Sequence, residues 1–495
     1  MKKTILYITI TLAALLMPSC EALQNLDCLQ EKPIKESTEG FMDSADKIES
    51  VLYSSYYQLR RYNCFSRYYH TTIEAMSDYC DALGTTYDAA SRYQGLDATL
   101  TSRVTDVWNC MYRAIRFCNT ILADAPSARN VDAATLDALL GEAKFLRAFT
   151  YMFLCQNWGA VPFQTEDNFR ADGETNLPRV ATATIYGVLA DDLEFAANAL
   201  PDEQALVGRP TKMAANTLLC HLYLLMERWE DARDAAQKVI ASEKYSLVEV
   251  STSDDFYKLF GPTLITTTEE IFYLKYNNST DKDMGSCFAA MLHRGGQYFN
   301  GSNYYGICST FDNKQMAEWP DQDLRKAFNL YTVDVEGQEY IYNKKFIDDN
   351  CNGDSSNNDY PFYRYADLLL YYAEAAARAA GAPTADAVEK LNMVHRRAYG
   401  KPSTVADPTV DYRLESYSTL EGFLDLVLQE RLYETCYEGK RYNDLKRCGK
   451  LAERVLYAKD IAVGEGGYWF PIPNEEFLYN KGLSLDNPDD QNPGY

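Results

Sequence analysis

Histidine is scarce in this chain: four residues in 495, at positions 70, 221, 293 and 395. So few leave little room for a histidine-built metal centre or an imidazole-activated nucleophile. His70 and His293 lie among aromatics and glycines, and we place neither in a site. Thirteen cysteines are present, yet none forms a CxxC pair or a zinc-ligand spacing. No glycine-rich phosphate loop follows a strand pattern, and no nucleophile elbow occurs. Basic charge is short as well, with 48 Lys and Arg against 71 Asp and Glu, a formal net charge of −23. Such a chain repels phosphate backbones and anionic lipid surfaces, which argues against nucleic-acid binding. Past the first twenty residues no run is apolar enough to span a bilayer, which takes ~20 residues. The sequence offers no active site, so we expect a protein that is not an enzyme and requires no cofactor.

What is present begins with an address label. Lys2 and Lys3 precede an apolar run from Ile5 to Met17 and a small-residue junction at Ser19–Cys20. Met17, Pro18, Ser19 and Cys20 resemble a lipobox, whose Cys is acylated and becomes the mature N-terminus. We expect residues 1–19 to be a lipoprotein signal, Cys20 the lipidation site, and lipid the only membrane anchor. An ordinary secretory signal that happens to hold a Cys is the alternative. Residues 20–36 are polar and aperiodic, as in a flexible stalk. Residues 37–495 are expected to form a single domain.

From about Thr38 the pattern is helical. Ile48, Leu52, Tyr56 and Leu59 recur at helical spacing, as do Val104, Val107, Trp108, Met111 and Ile115. A strong helix is expected over Leu136–Leu154, stopping before Asn157, Trp158 and Gly159. Ala214–Ala241, with a turn at Glu227–Arg228, approximates a tetratricopeptide unit, and Asp367–Ala398 repeats the idea around Gly381. Between them, roughly Ser242 to Pro361, lies a segment rich in Gly, Asn, Asp, Ser and Tyr, with strand-like runs at Glu270–Tyr276 and Tyr340–Phe346. Cys110, Cys118, Cys155 and Cys220 fall in apolar helical patterns and read as small hydrophobes. Mostly free, buried thiols are expected, with one or two bridges among Cys287, Cys308 and Cys351 left open.

Several motifs, in order, resemble the RagB/SusD nutrient-uptake lipoproteins of Bacteroidetes. They are Glu142 to Tyr151 followed by Asn157 to Pro162, Gly208 to Lys212, and Tyr363 to Asp367 with Ala373 to Ala375. Gln429 to Arg447 and Phe470 to Pro473 with the terminal Gln491 to Tyr495 complete the set. Asp367 stands where Glu is commoner, Cys436 interrupts a family-like helix, and Trp is sparse. The resemblance implies a mainly α, SusD-like fold: a tetratricopeptide-like scaffold of helical hairpins plus a loop-rich, ligand-facing part with a few short strands. It also implies an outer-membrane, outward-facing location, a TonB-dependent SusC-like transporter as partner, and an oligosaccharide as ligand. Peptide or another non-sugar nutrient is the alternative cargo, and a surface glycoside hydrolase the alternative activity.

Glu430, Glu434 and Glu438 form one helical stripe of mutually repelling carboxylates, with Arg431, Arg441 and Arg447 near in sequence. A structural ion-pair network is expected rather than a glycosidase acid pair, which needs carboxylates facing across a cleft. The same applies to Glu142 with Arg147 and to Arg364 with Glu374. Asp348, Asn350, Asn352, Gly353, Asp354 and Asp359 follow the spacing of a calcium loop, although Asp replaces the closing Glu and the flanks are strand-like. Structural calcium therefore competes with a solvated Asn/Asp turn. Tyrosine carries the argument for binding: there are 39, and aromatic faces stack on sugar C–H surfaces while Asn, Asp and Arg bond the hydroxyls. Tyr62, Phe65, Tyr68 and Tyr69 read as half-buried scaffold, whereas Tyr298, Tyr304 and Tyr305 sit among Gly and Asn. In the family the ligand face comes from the loop after the first helices and from the mid-chain insertion. By region this gives Asp81, Tyr87, Arg92, Tyr93, Tyr298, Tyr304, Tyr305 and Trp319 as candidate ligand contacts.

Overall fold

The computed structural model describes residues 41–82, 85–170, 176–278, 285–294, 298–299 and 306–495. Cys20, Tyr304 and Tyr305 therefore lie outside the described residues. Helices α1 (Ala45–Arg60), α2 (Tyr68–Ala75), α3 (Ala98–Asp124), α4 (Ala133–Trp158) and α5 (Thr182–Ala199) come first. They are followed by α6 (Lys212–Leu225), α7 (Trp229–Ala241), α8 (Tyr365–Ala380) and α9 (Ala385–Ala398), then α10 (Leu420–Thr435), α11 (Arg441–Arg447) and α12 (Leu451–Lys459). Packing runs in series: α3 on α4, α4 on α5, α5 on α6, α6 on α7, α7 on α8, and α8 on both α9 and α10. No helix among the described residues is long and apolar enough to cross a membrane.

Local chemistry fixes where these helices begin and end. Asp97, Asp132, Thr211, Thr384 and Thr419 accept a backbone N–H of the first turn of α3, α4, α6, α9 and α10, the usual work of an N-cap oxygen. Gly381 closes α8 at φ 69°, a left-handed position that costs glycine nothing. Helix α4 runs through Asn157 and Trp158, beyond the expected stop, and ends at Gly159 with φ 72°. Both side chains are buried and bonded, the Trp158 indole to the Pro471 carbonyl at 3.0 Å, so the apolar face extends further than the breaker cluster suggested. Gly141 lets α4 approach α5 closely, since a Cβ there would stand 3.2 Å from that of Ala199.

Three short antiparallel pairs complete the frame. They are β1 (Val161–Pro162) with β2 (Arg179–Val180), β3 (Glu270–Leu274) with β6 (Tyr360–Arg364), and β4 (Leu330–Val335) with β5 (Gln338–Asn343). The β3–β6 pair is welded to α4 by edge-on aromatic rings. Phe362 meets Phe149 and Phe65 at 4.8 Å each, and Phe272 meets Phe145 at 4.9 Å. The helical layer and the segment that interrupts it therefore share one core.

Candidate binding face

Two constellations compete for a functional reading. The first is the carboxylate set at the end of α10. Glu438 is not on the helix: α10 ends at Thr435, and the chain turns through Tyr437 at φ 63°. The expected stripe is nonetheless drawn together, by cations from elsewhere. Arg364 bridges Glu434 at 2.8 Å and Glu438 at 2.7 Å, and Arg397 bridges Glu269 and Glu434 at 2.6 Å each. Arg325 holds Glu430 at 2.7 Å and Glu434 at 3.0 Å, while Lys345 meets Glu438 at 2.6 Å. The arginines near in sequence pair differently: Arg431 and Arg447 with Asp444, Arg441 with Asp78, and Arg447 also with Glu374. Likewise Arg147 pairs with Asp192 and Glu166, and Arg209, rather than Arg147, with Glu142.

Against the cost of burial, these guanidiniums hold Glu434 and Glu438 well below the usual carboxylate range. All three glutamates are buried. Each is ionised and spent on arginine, lysine or histidine, and none is a proton donor facing a cleft. Glu74 differs. Burial pushes it up to about 7, although the Tyr79 hydroxyl and the Gly439 N–H bond its oxygens.

The second constellation is aromatic and only half-buried, and is assembled from segments distant in sequence. Asp81 exchanges backbone hydrogen bonds with Cys308 at 2.7 and 2.8 Å, and Ser309 exchanges them with Ile341 of β5 at 2.7 and 2.9 Å. With β4 and β5 this makes an irregular four-segment ladder that joins the loop after α2 to the mid-chain segment. Tyr331 of β4 stands at its edge. Its hydroxyl accepts from the Arg294 N–H at 2.8 Å and donates to the Arg294 carbonyl at 2.9 Å. Tyr298 packs edge-on against Tyr331 at 4.8 Å, and the Lys344 ammonium lies 5.5 Å from the Tyr298 ring centre.

On the neighbouring flank Tyr62 and Tyr68 meet edge-on at 5.5 Å. Arg67 covers Tyr62 at 4.9 Å, and Arg103 of α3 covers Tyr68 at 5.3 Å and Tyr87 at 4.8 Å. The loop between is pinned from behind. The buried Lys459 ammonium of α12 donates to the carbonyls of Cys80 and Ser91, 2.5 Å each, and stands 3.6 Å from the Asp81 carboxylate.

The candidate contacts separate accordingly. Asp81, Tyr93 and Tyr298 are half-buried, and Arg92 is exposed and paired with Asp88 at 2.9 Å. Tyr93 holds a left-handed φ of 55°, and its hydroxyl turns inward to the Met76 carbonyl. Two candidates are corrected by burial. Tyr87 is 1% exposed beneath Arg103. Trp319, also 1% exposed, donates to Asp323 at 3.0 Å and stacks on Tyr433 at 4.7 Å, because the polar stretch around it folds onto α10.

His70 and His293 are likewise buried and bonded to the carbonyls of Tyr437 and Phe346, and burial lowers both to about 4. Sequence reasoning missed Tyr331, Arg294, Lys344 and Arg103. Only the period-two pattern of β4 could have raised Tyr331.

The calcium-type spacing does not gather its acidic side chains. Asp348 accepts from the N–H groups of Asn350 and Asn357 at 2.9 and 2.8 Å. Asp359 bonds the Tyr276 N–H and the Lys275 ammonium at 2.8 Å each, and Asp354 stands 3.8 Å from Arg67. Asn350 and Asn352 use backbone atoms, toward Asn278 and Ser355. Among the described residues no group of three or more His, Cys, Asp or Glu is placed to hold a metal ion.

Comparison with known proteins gives this architecture a family. The SusD family profile matches residues 287–467, and a profile described as starch-binding associating with outer membrane matches residues 27–224. The SusD-like protein P2 of Formosa agariphila is 25% identical over 93% of this chain and 96% of its own. Among solved structures, a SusD homolog from Bacteroides thetaiotaomicron superposes with TM-score 0.78 at 20% identity, covering 93% of this chain and 99% of that one. The surface glycan-binding protein A of the same organism, in complex with laminarihexaose, superposes with TM-score 0.71 at 20% identity, covering 90% and 99%. The chain belongs to the SusD/RagB family, and its fold is that of the SusD-like proteins.

Proposed function

We propose that this chain is a glycan-capturing surface lipoprotein. It is acylated at Cys20, held to the outer membrane facing outward, and delivers oligosaccharide to a TonB-dependent SusC-like transporter. The observation that carries the reading is the half-buried tyrosine face, in which Tyr298 and Tyr331 are fixed edge to edge beside Lys344. Tyrosine rings held by neighbours offer flat apolar area at little entropic cost, and hydroxyls and cations at the rim suit sugar hydroxyls. The family relation supports it, since a structural neighbour holds laminarihexaose and one matched profile describes starch binding at the outer membrane.

The neutralised acidic stripe supports capture over hydrolysis, because Glu434 and Glu438 are already paired with Arg364 inside the fold. The test is retention of the soluble chain, starting after Cys20, on polysaccharide-containing gels or a glycan array. Binding to a polysaccharide that weakens in Tyr331→Ala supports the reading. Peptide binding with silence on every glycan overturns the cargo but leaves the fold untouched. Labelling with a lipid precursor, lost in Cys20→Ala, tests the anchor, and co-purification with a TonB-dependent receptor tests the partnership.

A further inference from the structure

Helix α3 and the bend between α1 and α2 present positive charge that the fold does not neutralise. Arg103 is half-buried, its guanidinium over the rings of Tyr68 at 5.3 Å and Tyr87 at 4.8 Å, and its Nη1 donates to Thr86 Oγ1 at 2.8 Å. No carboxylate among the described residues pairs with it. Carboxylates are not in short supply, with 71 Asp and Glu against 48 Lys and Arg. Arg92, in the loop that carries Thr86, has taken Asp88 at 2.9 Å. Arg61, just past α1, resembles Arg103: it lies 6.0 Å from the Tyr57 ring centre and has no carboxylate pair among the described residues. With these two cations stand the half-buried Tyr62 and Tyr68, edge-on at 5.5 Å, and Arg67 covers Tyr62 at 4.9 Å.

A guanidinium stacked on a ring keeps its in-plane N–H groups for another partner, and a planar carboxylate is the partner that fits the fork. We propose that this flank is a subsite for an acidic sugar: the ring of a uronate residue rests on the Tyr62–Tyr68 pair, and its carboxylate bonds Arg103. Resting on the capture reading, this narrows the cargo from oligosaccharide in general to a uronate-bearing polysaccharide. A neutral sugar needs only the rings and groups for its hydroxyls. A uronate also needs a cation with no carboxylate of its own, and Arg103 is one.

The acidic balance of the whole chain does not forbid such a ligand. At physiological salt, charges more than about 8 Å apart are largely screened, so the local groups decide. The nearby carboxylates are Asp106, one turn along α3 and offset by Arg61 and Arg113, and Asp354, 3.8 Å from Arg67. Both are matched to arginines other than Arg103. The two rings that hold Arg103 also fix its plane before ligand arrives, which lowers the ordering cost of binding.

The experiment is affinity electrophoresis of the chain starting after Cys20. The gels contain polygalacturonate or alginate, each beside its carboxyl-reduced, neutral form, with starch, laminarin and dextran sulfate as further gels. The expected result is retardation in at least one uronate polymer that disappears in its carboxyl-reduced form and is not matched in dextran sulfate. In Arg103→Gln that retardation should weaken about tenfold with the thermal midpoint kept. The wild-type comparison of each polymer with its reduced form decides the matter even if the variant does not fold. Equal retardation in a uronate polymer and its reduced form overturns the proposal, as does a match in dextran sulfate. Retardation in neutral gels alone also overturns it while leaving capture standing, whereas free migration in every gel removes both.

Discussion

The ion-pair hub beneath α10 and the tyrosine face beside β4 both draw residues from across the sequence, but they treat polar groups in opposite ways. In the hub Arg364, Arg397, Glu269, Glu434 and Glu438 are all fully buried, and each charge meets its opposite at close range. On the face, cations lie over tyrosine rings, and the rings keep part of their surface in water. A buried pair is costly to desolvate and costlier still to break, so it specifies an arrangement without offering a surface. A half-exposed ring has already lost most of its freedom to its neighbours, and its open face remains for a ligand. The hub therefore reads as architecture, and the face is the surface on which the proposed capture rests.

The comparison is broken most severely by Arg364→Ala. Removing it takes one cation from each of the buried Glu434 and Glu438, leaving Arg397 and Arg325 on the first and Lys345 on the second, and unfolding in urea should show a loss of about 3–5 kcal/mol. An unchanged midpoint would mean that the hub is not structural.

Acid should separate the two regions next. His293 lies under the face, stacked on Phe299 at 5.1 Å, and burial holds its pKa at about 4 against 6.5 for a free imidazole. Its folded-state pKa is depressed, so its stabilising contribution is complete above pH 6.5 and is lost as pH falls through 4. The loss is on the order of 3 kcal/mol for a shift of this size. The hub carboxylates, held low by arginine, keep their charge through that window. His70, bonded to the Tyr437 carbonyl beside Glu438, carries the same depressed pKa, so hydrogen exchange followed from pH 7 to 4 should show His293→Gln removing the acid loss at β5 and residues 306–309 while leaving the loss at the turn after α10.

A smaller effect is expected from Tyr331→Ala, which deletes the ring that supports Tyr298. Affinity for a bound glycan should fall about tenfold, roughly 1–2 kcal/mol, and the thermal midpoint should shift far less than for the hub variant. Arg92→Ala marks the lower end. Its pair with Asp88 is solvent-exposed, and stability should change by less than about 0.5 kcal/mol.

What the sequence made legible follows the range of the interactions involved. Helices α6 to α9 and their turns at Glu227 and Gly381 are set by local periodicity and backbone preference, and they lie where the pattern put them. The acidic stripe was correctly read as structural, but its partners were not readable. Lys345, Arg364 and Arg397 reach it from other elements, and no spacing rule links them to Glu434 or Glu438.

The face was harder still. The bridges at Asp81 and Ser309 are single backbone pairs that leave no alternation of apolar and polar residues. Trp319 misled because a lone aromatic in a polar segment resembles a ligand contact until its indole is seen bonded to Asp323. Tyr298 is half-buried, its ring set edge-on against Tyr331.

The central claim is that the half-buried tyrosines, rather than any buried charge, meet the ligand. Its most direct test is retention of the soluble chain on polysaccharide gels, comparing the wild type with Tyr331→Ala and with Arg228→Ala, which removes an exposed pair with Asp231 at 2.7 Å at the start of α7. The account predicts retarded migration of the wild type and of Arg228→Ala in at least one polysaccharide. It also predicts recovery of free mobility by Tyr331→Ala with its thermal midpoint preserved. Free migration of the wild type in every polysaccharide, or full retention of Tyr331→Ala, would contradict it.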